Sequence, residues 1–302
     1  MTDAQIKFRF LFIPYVIISL MFMVLYTFLH WFLVMKLNLL SPSRLLVTIA
    51  LPVLLCWIPA LIFINLRINL LSLYQTRGNV PMLYFLIAAF GLCIPTIFAQ
   101  QYLITAVGKL NYLKTIDDVR SKLPEKYFNV KSYFVDKENA SWYSNSNLSG
   151  WHNDTLNVSV YFICPIYNGK NNPVELPRLW FGVKYQIQMP NGLRSDIKED
   201  RTQDFYKDSQ KMFQDKDFRN FNYFEQINEG RSYGGYLAAV NNGYGLKLKD
   251  ILVFEGKFEP FESRSGDKLW WVILSYILFS FVWGVVISIP DIETNIFQDQ
   301  LN

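Results

Sequence analysis

The chain has 302 residues, of which 51% are hydrophobic, 17% aromatic and only 18% charged, a composition closer to membrane proteins than to soluble domains. The net charge is +4, and residues 108–268 hold 23 Lys and Arg against 21 Asp and Glu, which leaves a net of +2 by subtraction. Because these charges alternate in sign without a basic block, the sequence argues against nucleic-acid binding.

The first hydrophobic segment, about residues 10–35, contains no Asp, Glu, Lys or Arg. It is longer than the roughly 7–15 apolar residues of a signal peptide, and no small-residue cleavage site follows it. We therefore expect a permanent transmembrane helix. Trp31, with His30 beside it, is expected at the far membrane interface as an anchor.

Two further hydrophobic segments, about residues 45–64 and 82–101, are each long enough to cross a bilayer. Pro52 and Pro59 lie two turns apart on one face of the first of these. Prolines are tolerated in a membrane span where neighbouring helices satisfy the freed carbonyl groups. We therefore expect this face to pack against another helix.

The fourth hydrophobic segment, residues 269–289, is the clearest of the four. Trp270 and Trp271 at its start are predicted to anchor in the membrane interface. A stripe of small residues at four-residue spacing, where another helix can approach closely, runs along it: Ser280, Gly284 and Ser288.

The Lys and Arg residues near these segments predict the orientation, because such residues are enriched in cytoplasmic loops. Four of them fall on the side of the N-terminus: Lys7, Arg9, Arg67 and Arg77. Only Lys36 and Arg44 fall on the opposite side. This distribution places the N-terminus and a short tail, residues 290–302, in the cytoplasm, and residues 108–268 outside it.

Residues 108–268 show the period-two alternation of β-strands. Four segments are predicted as strands: 127–136, 158–162, 179–189 and 251–261. The regular alternation in 179–189 predicts one buried face for that strand. Two helices are predicted to lie on the sheet, over 196–218 and 236–241. Together these elements predict a soluble α+β domain with an antiparallel sheet and one or two helices.

No residue is assigned to catalysis, a cofactor or a metal. Catalysis needs a nucleophile, a base and charge-stabilising groups that converge, and the sequence has only two His. His152 lies in a polar stretch predicted as a solvated loop. The segment 147–150 is superficially similar to the Gly-x-Ser-Gly motif of intramembrane serine proteases, but it too is predicted in this loop. Cys56 and Cys93 lie in hydrophobic segments and Cys164 is alone in the soluble domain, so no metal-ligand set is predicted.

Tyrosines and glycines cluster late in the soluble domain, at residues 233–236 and 243–245. The glycines do not match a phosphate-binding loop, because no Lys-Ser or Lys-Thr pair follows them. Turns with exposed tyrosines are the main interpretation. The alternative is a binding rim, made of Tyr233, Tyr236 and Tyr244.

Several short segments carry a resemblance to a known family: Ile6-Lys7-Phe8-Arg9-Phe10, Tyr26-Thr27-Phe28-Leu29-His30-Trp31-Phe32, Cys56-Trp57-Ile58-Pro59, Pro95-Thr96-Ile97, Ala99-Gln100 and Gly108-Lys109-Leu110. Together they resemble the N-terminal membrane region that precedes the protease core in certain large bacterial rhomboid-family proteins. The rhomboid core, with its Ser nucleophile and His base on separate spans, is absent from these 302 residues. The resemblance implies a bacterial module that anchors, senses or presents a substrate.

The sequence thus predicts a non-catalytic multi-pass protein of a bacterial inner membrane, with membrane lipid around its spans. Its soluble domain is predicted to bind a protein or peptide partner through residues 108–268. The alternative is a subunit of a transporter or channel, which is disfavoured because no span carries a central Asp, Glu, Lys or Arg. An enzyme is the least favoured class.

Overall fold

The structure is a computed structural model that describes residues 2–37, 43–73, 80–169, 178–228, 230–245 and 251–292. The chain divides into two compact units. One, the helical unit, is Met1–Val107 with Arg264–Asn302, and the other, the sheet unit, is Gly108–Ser263.

Helices and strands are numbered in chain order. The helices are α1 Asp3–Lys36, α2 Leu46–Ile68, α3 Val80–Ala106, α4 Ser195–Asp215, α5 Gly230–Tyr244 and α6 Lys268–Ser288. The strands are β1 Leu110–Thr115, β2 Tyr127–Ser132, β3 Phe134–Val135, β4 Ser141–Ser149, β5 Thr155–Tyr167, β6 Leu179–Pro190, β7 Tyr223–Ile227 and β8 Leu252–Lys257. Short 3₁₀ helices lie at Ile116–Lys122 and Phe261–Ser263.

Four helices of the described residues, α1, α2, α3 and α6, are long and apolar enough to cross a membrane, as the sequence predicts. Their outward faces carry large apolar side chains in continuous rows. On α1 the exposed row is Ile17, Leu20, Met21, Val24, Leu25 and Phe28, and on α6 it is Ile273, Leu274, Ile277, Leu278 and Phe281. Soluble proteins expose single apolar side chains but rarely patches of this size.

The helical unit is held together by close contacts around α3. The Tyr15 hydroxyl of α1 occupies the space beside Gly91 of α3, where an added Cβ would lie 1.8 Å from its oxygen. The Tyr15 ring stacks on Trp283 of α6, with 5.0 Å between ring centroids. Trp283 is one of the largest fully buried side chains of the described residues. Glycine at position 91 therefore permits α1, α3 and α6 to meet.

The sheet unit contains one mixed sheet, with the strand order β1-β2-β7-β8-β6-β5-β3 and β4 also paired to β5. The prediction of an antiparallel sheet is wrong at two places, because β1 pairs with β2 and β6 pairs with β8 in parallel. Parallel pairs need a crossover connection. The 3₁₀ helix between β1 and β2 supplies the first, and the segment with α4, β7 and α5 supplies the second.

The two helices of the sheet unit cover opposite faces of the sheet. Phe213 of α4 stacks on Phe162 of β5, with ring centroids 4.5 Å apart. Tyr236 of α5 packs edge-on against Tyr161, the preceding residue of β5. Successive strand residues point to opposite faces, so the sheet lies between α4 and α5.

This arrangement corrects three predictions from the sequence. β6 is buried on both faces over residues 179–183, because α5 covers the face predicted to be exposed. Helix α5 begins at Gly230 and ends at Tyr244, well beyond the predicted 236–241. The predicted turn at residues 233–236 therefore lies inside this helix.

Replacing Gly235 with Ala tests the contact between α5 and β5. A Cβ at this position would lie 2.5 Å from the Tyr161 ring, so we expect the sheet unit to lose about 1–3 kcal/mol of stability through overpacking. Gly234→Ala is the matched control, because a Cβ there meets nothing within 4 Å and Ala is favoured over Gly in helices by roughly 0.5–1 kcal/mol. Thermal unfolding of the full-length protein in detergent measures both. Equal effects would contradict the helical placement of this pair.

Candidate partner-binding surface

The outer strand β4 is covered by a helix over only part of its length. All nine residues of β4 pair with β5. Helix α5 covers the beginning of β4, where Ser141 Oγ donates to the Ala239 carbonyl (2.7 Å) and Asn242 Nδ2 donates to the Trp142 carbonyl (3.0 Å). Over residues 145–148 the side chains on both sides of the strand are exposed. The distal half of β4 is therefore exposed to solvent on both faces.

The outer edge of β4 is unpaired among the residues that the structure describes, since its strand partner there is β5 alone. Exposed strand edges recruit other strands, and proteins usually protect them with Lys, with Pro or by keeping them very short. β4 has nine residues and contains neither a charged residue nor Pro. By contrast, β3 has only two residues and β1 carries Lys114. β4 is therefore the outer strand best suited to pair with another chain.

Trp151 lies at the tip of this hairpin with 91% of its surface exposed. The turn that carries it has a fixed conformation, with φ of 92° at Gly150 and 57° at Asn153. The positive φ at position 150 favours glycine there, and an added Cβ would also lie 1.7 Å from Asp154 Oδ1. The Asn191 backbone N–H also donates to the Asp154 carbonyl (2.6 Å), which joins this turn to the one after β6. A rigid aromatic side chain loses little entropy when a partner covers it.

Amide and hydroxyl groups join the three strands of this region on one face. Asn157 Nδ2 donates to Ser149 Oγ (2.6 Å) and to the Asn147 carbonyl (3.3 Å), and Gln188 Nε2 donates to Asn157 Oδ1 (2.9 Å). These bonds hold β4, β5 and β6 in one register. The distal half of β4 is therefore an uncharged strand that these hydrogen bonds tie to β5 and β6.

A second polar cluster of the sheet unit is charged, but its charges are paired. Glu225 lies between Lys126 Nζ (2.8 Å) and Lys257 Nζ (3.3 Å), and Lys257 also reaches Glu255 (2.9 Å). Burial works to raise the pKa of Glu225, but the two Lys outweigh it and hold that pKa below its ordinary value. Burial likewise works to lower the pKa of Lys257, and the two Glu outweigh it and raise that pKa. Because the opposite charges satisfy one another, this cluster is structural.

His30 takes part in a buried polar contact between α1 and α3. Its Nδ1 lies 2.6 Å from Gln100 Oε1, and Gln100 Nε2 donates to Thr27 Oγ1 (2.9 Å). Both His30 and Gln100 are buried. The side chain of His30 therefore faces α3 instead of the outer surface, and its location at the membrane interface stays a prediction.

The tryptophans and the small-residue stripe of the helical unit lie as follows. Trp270 and Trp271 are exposed, and Trp31 is half-buried with Lys36 Nζ 5.2 Å from its ring centroid. Within the stripe, a Cβ added at Gly284 would lie 3.2 Å from the Phe12 ring of α1, Ser280 is half-buried, and Ser288 is exposed. The buried positions of α6 are different: Val272, Ser275, Trp283 and Ile287.

The two prolines of α2 differ in their surroundings. Pro52 is buried and Pro59 is half-buried. Pro52 belongs to a row of small buried residues at four-residue spacing that also contains Thr48, Cys56 and Ala60. The structure thus turns this face of α2 inward.

The tyrosines of the predicted rim lie mostly inside the sheet unit. Tyr236 is fully buried, and its hydroxyl donates to Glu255 Oε1 (2.8 Å). Tyr233 is half-buried and donates to the Ile251 carbonyl (3.2 Å), and half-buried Tyr244 packs edge-on against Trp180. The prediction that these three tyrosines form an exposed rim is therefore wrong, because α5 turns them toward the sheet.

The surface that the structure presents instead was predicted as a polar loop. Residues 147–149, which the sequence places in that loop, form the end of β4, and exposed His152 lies beside Trp151 in the turn. Trp142 and Leu148 fall on the same side of this strand, but residues 143–147 between them show no apolar–polar alternation that would predict it. The turn residues Gly150 and Asn153 mark the end of the hairpin.

The described residues contain no group of three or more His, Cys, Asp and Glu side chains that would hold a metal ion. Comparison of the chain with protein-family models, with curated proteins and with solved structures found no match. The resemblance to the rhomboid family therefore stays a prediction from the residues that carry it.

Replacing Gln100 with Leu tests the polar contact between α1 and α3. The substitution leaves buried His30 without its partner, so we expect the helical unit to lose about 1–2 kcal/mol of stability. Gln101→Leu is the matched control, because Gln101 is exposed at the neighbouring position. Unfolding in mixed micelles by increasing sodium dodecyl sulfate measures both. An unchanged midpoint for Gln100→Leu would argue against the contact.

Proposed function

We propose that this chain is a multi-pass membrane protein whose sheet unit binds an extended segment of a partner protein along the outer edge of β4. The observation that carries the binding proposal is the edge of that strand, which is long, uncharged and, within the part of the chain that the structure describes, unpaired. The exposed Trp151 beside it adds an apolar anchor.

The membrane location is supported by the outward faces of the four long helices. Each hydrophobic row that they expose would cost roughly 25 cal/mol for every Å² left in water. A bilayer removes that cost, and its hydrocarbon core tolerates only segments that satisfy their own backbone hydrogen bonds, as helices do. The four helices meet both conditions by their length and composition.

The orientation is proposed from the distribution of Lys and Arg. Lys7, Arg9 and Arg67 lie at helix ends that share one side of the proposed membrane, whereas Lys36 lies at the opposite end of α1. Arg77, the fourth residue of the prediction, lies outside the described residues. The positive-inside tendency favours a cytoplasmic N-terminus and an extracytoplasmic sheet unit. In the bacterial cell that the family resemblance implies, the membrane is the inner membrane.

Approximate free energies of association indicate which contacts a partner segment needs. Association costs on the order of 4–15 kcal/mol in lost freedom, whereas each backbone hydrogen bond of an added strand gains a net of about 0.5–1.5 kcal/mol. A short added strand alone is therefore too weak, and burial of a large anchor is needed. Trp is enriched among the residues that supply most of the energy of an interface, and Trp151 lies at the end of the free edge.

The proposed activity is binding, and no catalytic residue is assigned. A domain that captures an extended segment at a membrane surface is suited to sensing or to presenting a substrate, the roles that the rhomboid resemblance implies. In strand addition the backbone supplies affinity and the alternating side chains supply specificity. The short polar side chains at residues 144–147 leave room beside them for larger side chains of a partner segment.

Photo-crosslinking from positions on and beside the outer edge of β4 tests the binding proposal. A photoreactive amino acid placed at Ser146 or at Trp151 of the full-length protein in its native membrane is expected to capture the same partner, through one extended segment identified by mass spectrometry. Tyr112 is the control position, because it is 74% exposed on β1, a different outer strand. With the photoreactive group at Ser146, Trp151→Ala should weaken capture by roughly 30-fold if it removes about 2 kcal/mol.

Equal capture from Ser146 and Tyr112, or no effect of Trp151→Ala, would contradict the proposed surface.

Thiol labelling tests the proposed orientation. All three native cysteines are buried, so a single Ser146→Cys substitution supplies the accessible thiol. A maleimide that does not cross membranes should label this variant in intact cells, because the sheet unit is proposed to lie outside the cytoplasm. Labelling that requires prior disruption of the cells would reverse the orientation.

A further inference from the structure

Helices α3 and α6 pack side by side in the helical unit. Near the middle of α3, a Cβ added at Gly91 would lie 3.4 Å from the Cβ of Phe279 of α6. Two turns further along α3, the ring of Phe98 stacks on that of Trp271, with 6.2 Å between the centroids. Because the contact moves forward along α3 and backward along α6, the two helices are antiparallel.

The same register continues to the end of α3. Arg264, which precedes α6, donates from Nε to the Thr105 carbonyl (3.0 Å). Arg264 and Thr105 each lie seven residues from the ring that stacks on their own helix. Gln101 of α3 and Lys268 of α6 each lie three residues from that ring, on the same side of it. The register therefore places Gln101 and Lys268 opposite each other.

A groove of about 300 Å³ opens between α3 and α6 at this level, and it is lined by Phe98, Gln101, Lys268 and Trp271. Its lining has two chemically different parts. Lys268 carries an ammonium group and Gln101 an amide, both of which have N–H donors, whereas the two rings are apolar. Ligand sites in proteins usually have about 300–1,000 Å³, so the groove has room for a small group.

The two parts of the groove lie at different depths of the proposed membrane. Lys268 is the first residue of α6, and Gln101 is five residues, or about 8 Å, before the end of α3. Phe98 and Trp271 lie about one turn deeper. A Lys near a helix end extends its ammonium group toward water, and Trp is enriched at the membrane interface. The groove therefore spans the boundary between lipid headgroups and hydrocarbon.

The charge of the groove indicates which lipid it favours. Among the described residues that line it, Lys268 is the one that carries a charge, and its exposed neighbour Asp267 is not part of the lining. Phosphate oxygens accept strong hydrogen bonds from an ammonium group. A headgroup with its own cation, such as choline, would be repelled by Lys268. The groove therefore favours a headgroup with a net negative charge.

We propose that the groove between α3 and α6 binds one anionic phospholipid, with its phosphate at Lys268 and Gln101 and its acyl chains beginning at Phe98 and Trp271. The groove has the volume of roughly ten water molecules at about 30 Å³ each. That space accommodates a phosphate and its glycerol, and the acyl chains extend into the bilayer.

The proposed orientation places this lipid in the extracytoplasmic leaflet. Of the proposed function, the inference shares only the membrane location, and it is independent of partner binding at β4.

Native mass spectrometry of the full-length protein, released from detergent after titration with lipid, tests the site. Phosphatidylglycerol is the anionic probe and phosphatidylcholine the zwitterionic one. We expect the first phosphatidylglycerol to bind at least about tenfold more tightly than the first phosphatidylcholine, the scale of one charge-assisted hydrogen bond. Equal affinities would overturn the proposal. Glycerol 3-phosphate should not displace the lipid, and displacement at an equal concentration would assign the groove to a soluble anion instead.

Three variants locate the binding. Lys268→Gln should weaken the first phosphatidylglycerol by roughly tenfold or more, whereas Lys268→Arg should retain it, because the positive charge stays. Lys36→Gln is the matched control, since Lys36 also lies beside a tryptophan, Trp31, at a helix end on the same proposed side but does not line the groove. An unchanged affinity for Lys268→Gln would refute the site. Equal weakening by Lys36→Gln, or by Lys268→Arg, would do the same.

Discussion

The helical unit exposes rows of apolar side chains, and the membrane proposed to surround them constrains how its polar groups are used. Rows of Leu, Ile, Val and Phe occupy the outer faces, so polar side chains are directed inward, where they need partners. Three tyrosines provide such contacts between helices: Tyr26 donates to the Val47 carbonyl (2.6 Å), Tyr276 to that of Val16 (2.8 Å) and Tyr84 to that of Val286 (3.1 Å). Each ties one helix to the backbone of another. Since lipid tails are as apolar as the helix sides, these bonds and close packing specify which helices meet.

The long helices were predictable from the sequence, but their mutual contacts were not. Hydropathy identifies a segment that needs an apolar solvent, whereas it does not say which face turns inward. The stripe of Ser280, Gly284 and Ser288 illustrates this limit. These small residues would allow another helix to approach α6 closely, but the structure buries Trp283 of α6 instead. A large ring gains more dispersion and apolar contact than a small side chain, provided that the facing helix has space for it. That space exists because Tyr15 lies against Gly91, a pairing of distant residues that no local pattern encodes.

In the sheet unit, too, features that follow from a local sequence pattern were predictable, whereas features that depend on residues distant in sequence were not. The strands over 158–162 and 179–189 were predictable, because alternation is a local property of strands that have one apolar face. β4 was not, since it is a polar segment that becomes a strand by pairing with β5. The second buried face of β6 depends on α5, whose position follows from contacts such as that between Gly182 and Tyr236. The sequence did not predict the candidate surface, because the main feature of that surface is the free edge of β4. A free edge can be recognised only when the strand order is known.

The free edge of β4 also bears on the choice of an expression host. Asn147 begins an Asn-Leu-Ser triplet and Asn153 an Asn-Asp-Thr triplet, both of which are glycosylation acceptors in secretory pathways that modify Asn. A sugar chain on exposed Asn147 would stand along the edge itself, and one on Asn153 would stand beside Trp151. A third triplet begins at Asn157, but its amide is buried in bonds to Ser149 and Gln188, so modification there requires an unfolded chain. Protein made in a glycosylating cell would therefore carry bulky oligosaccharides on the surface proposed to receive a partner, whereas protein made in a host without this machinery would leave it bare.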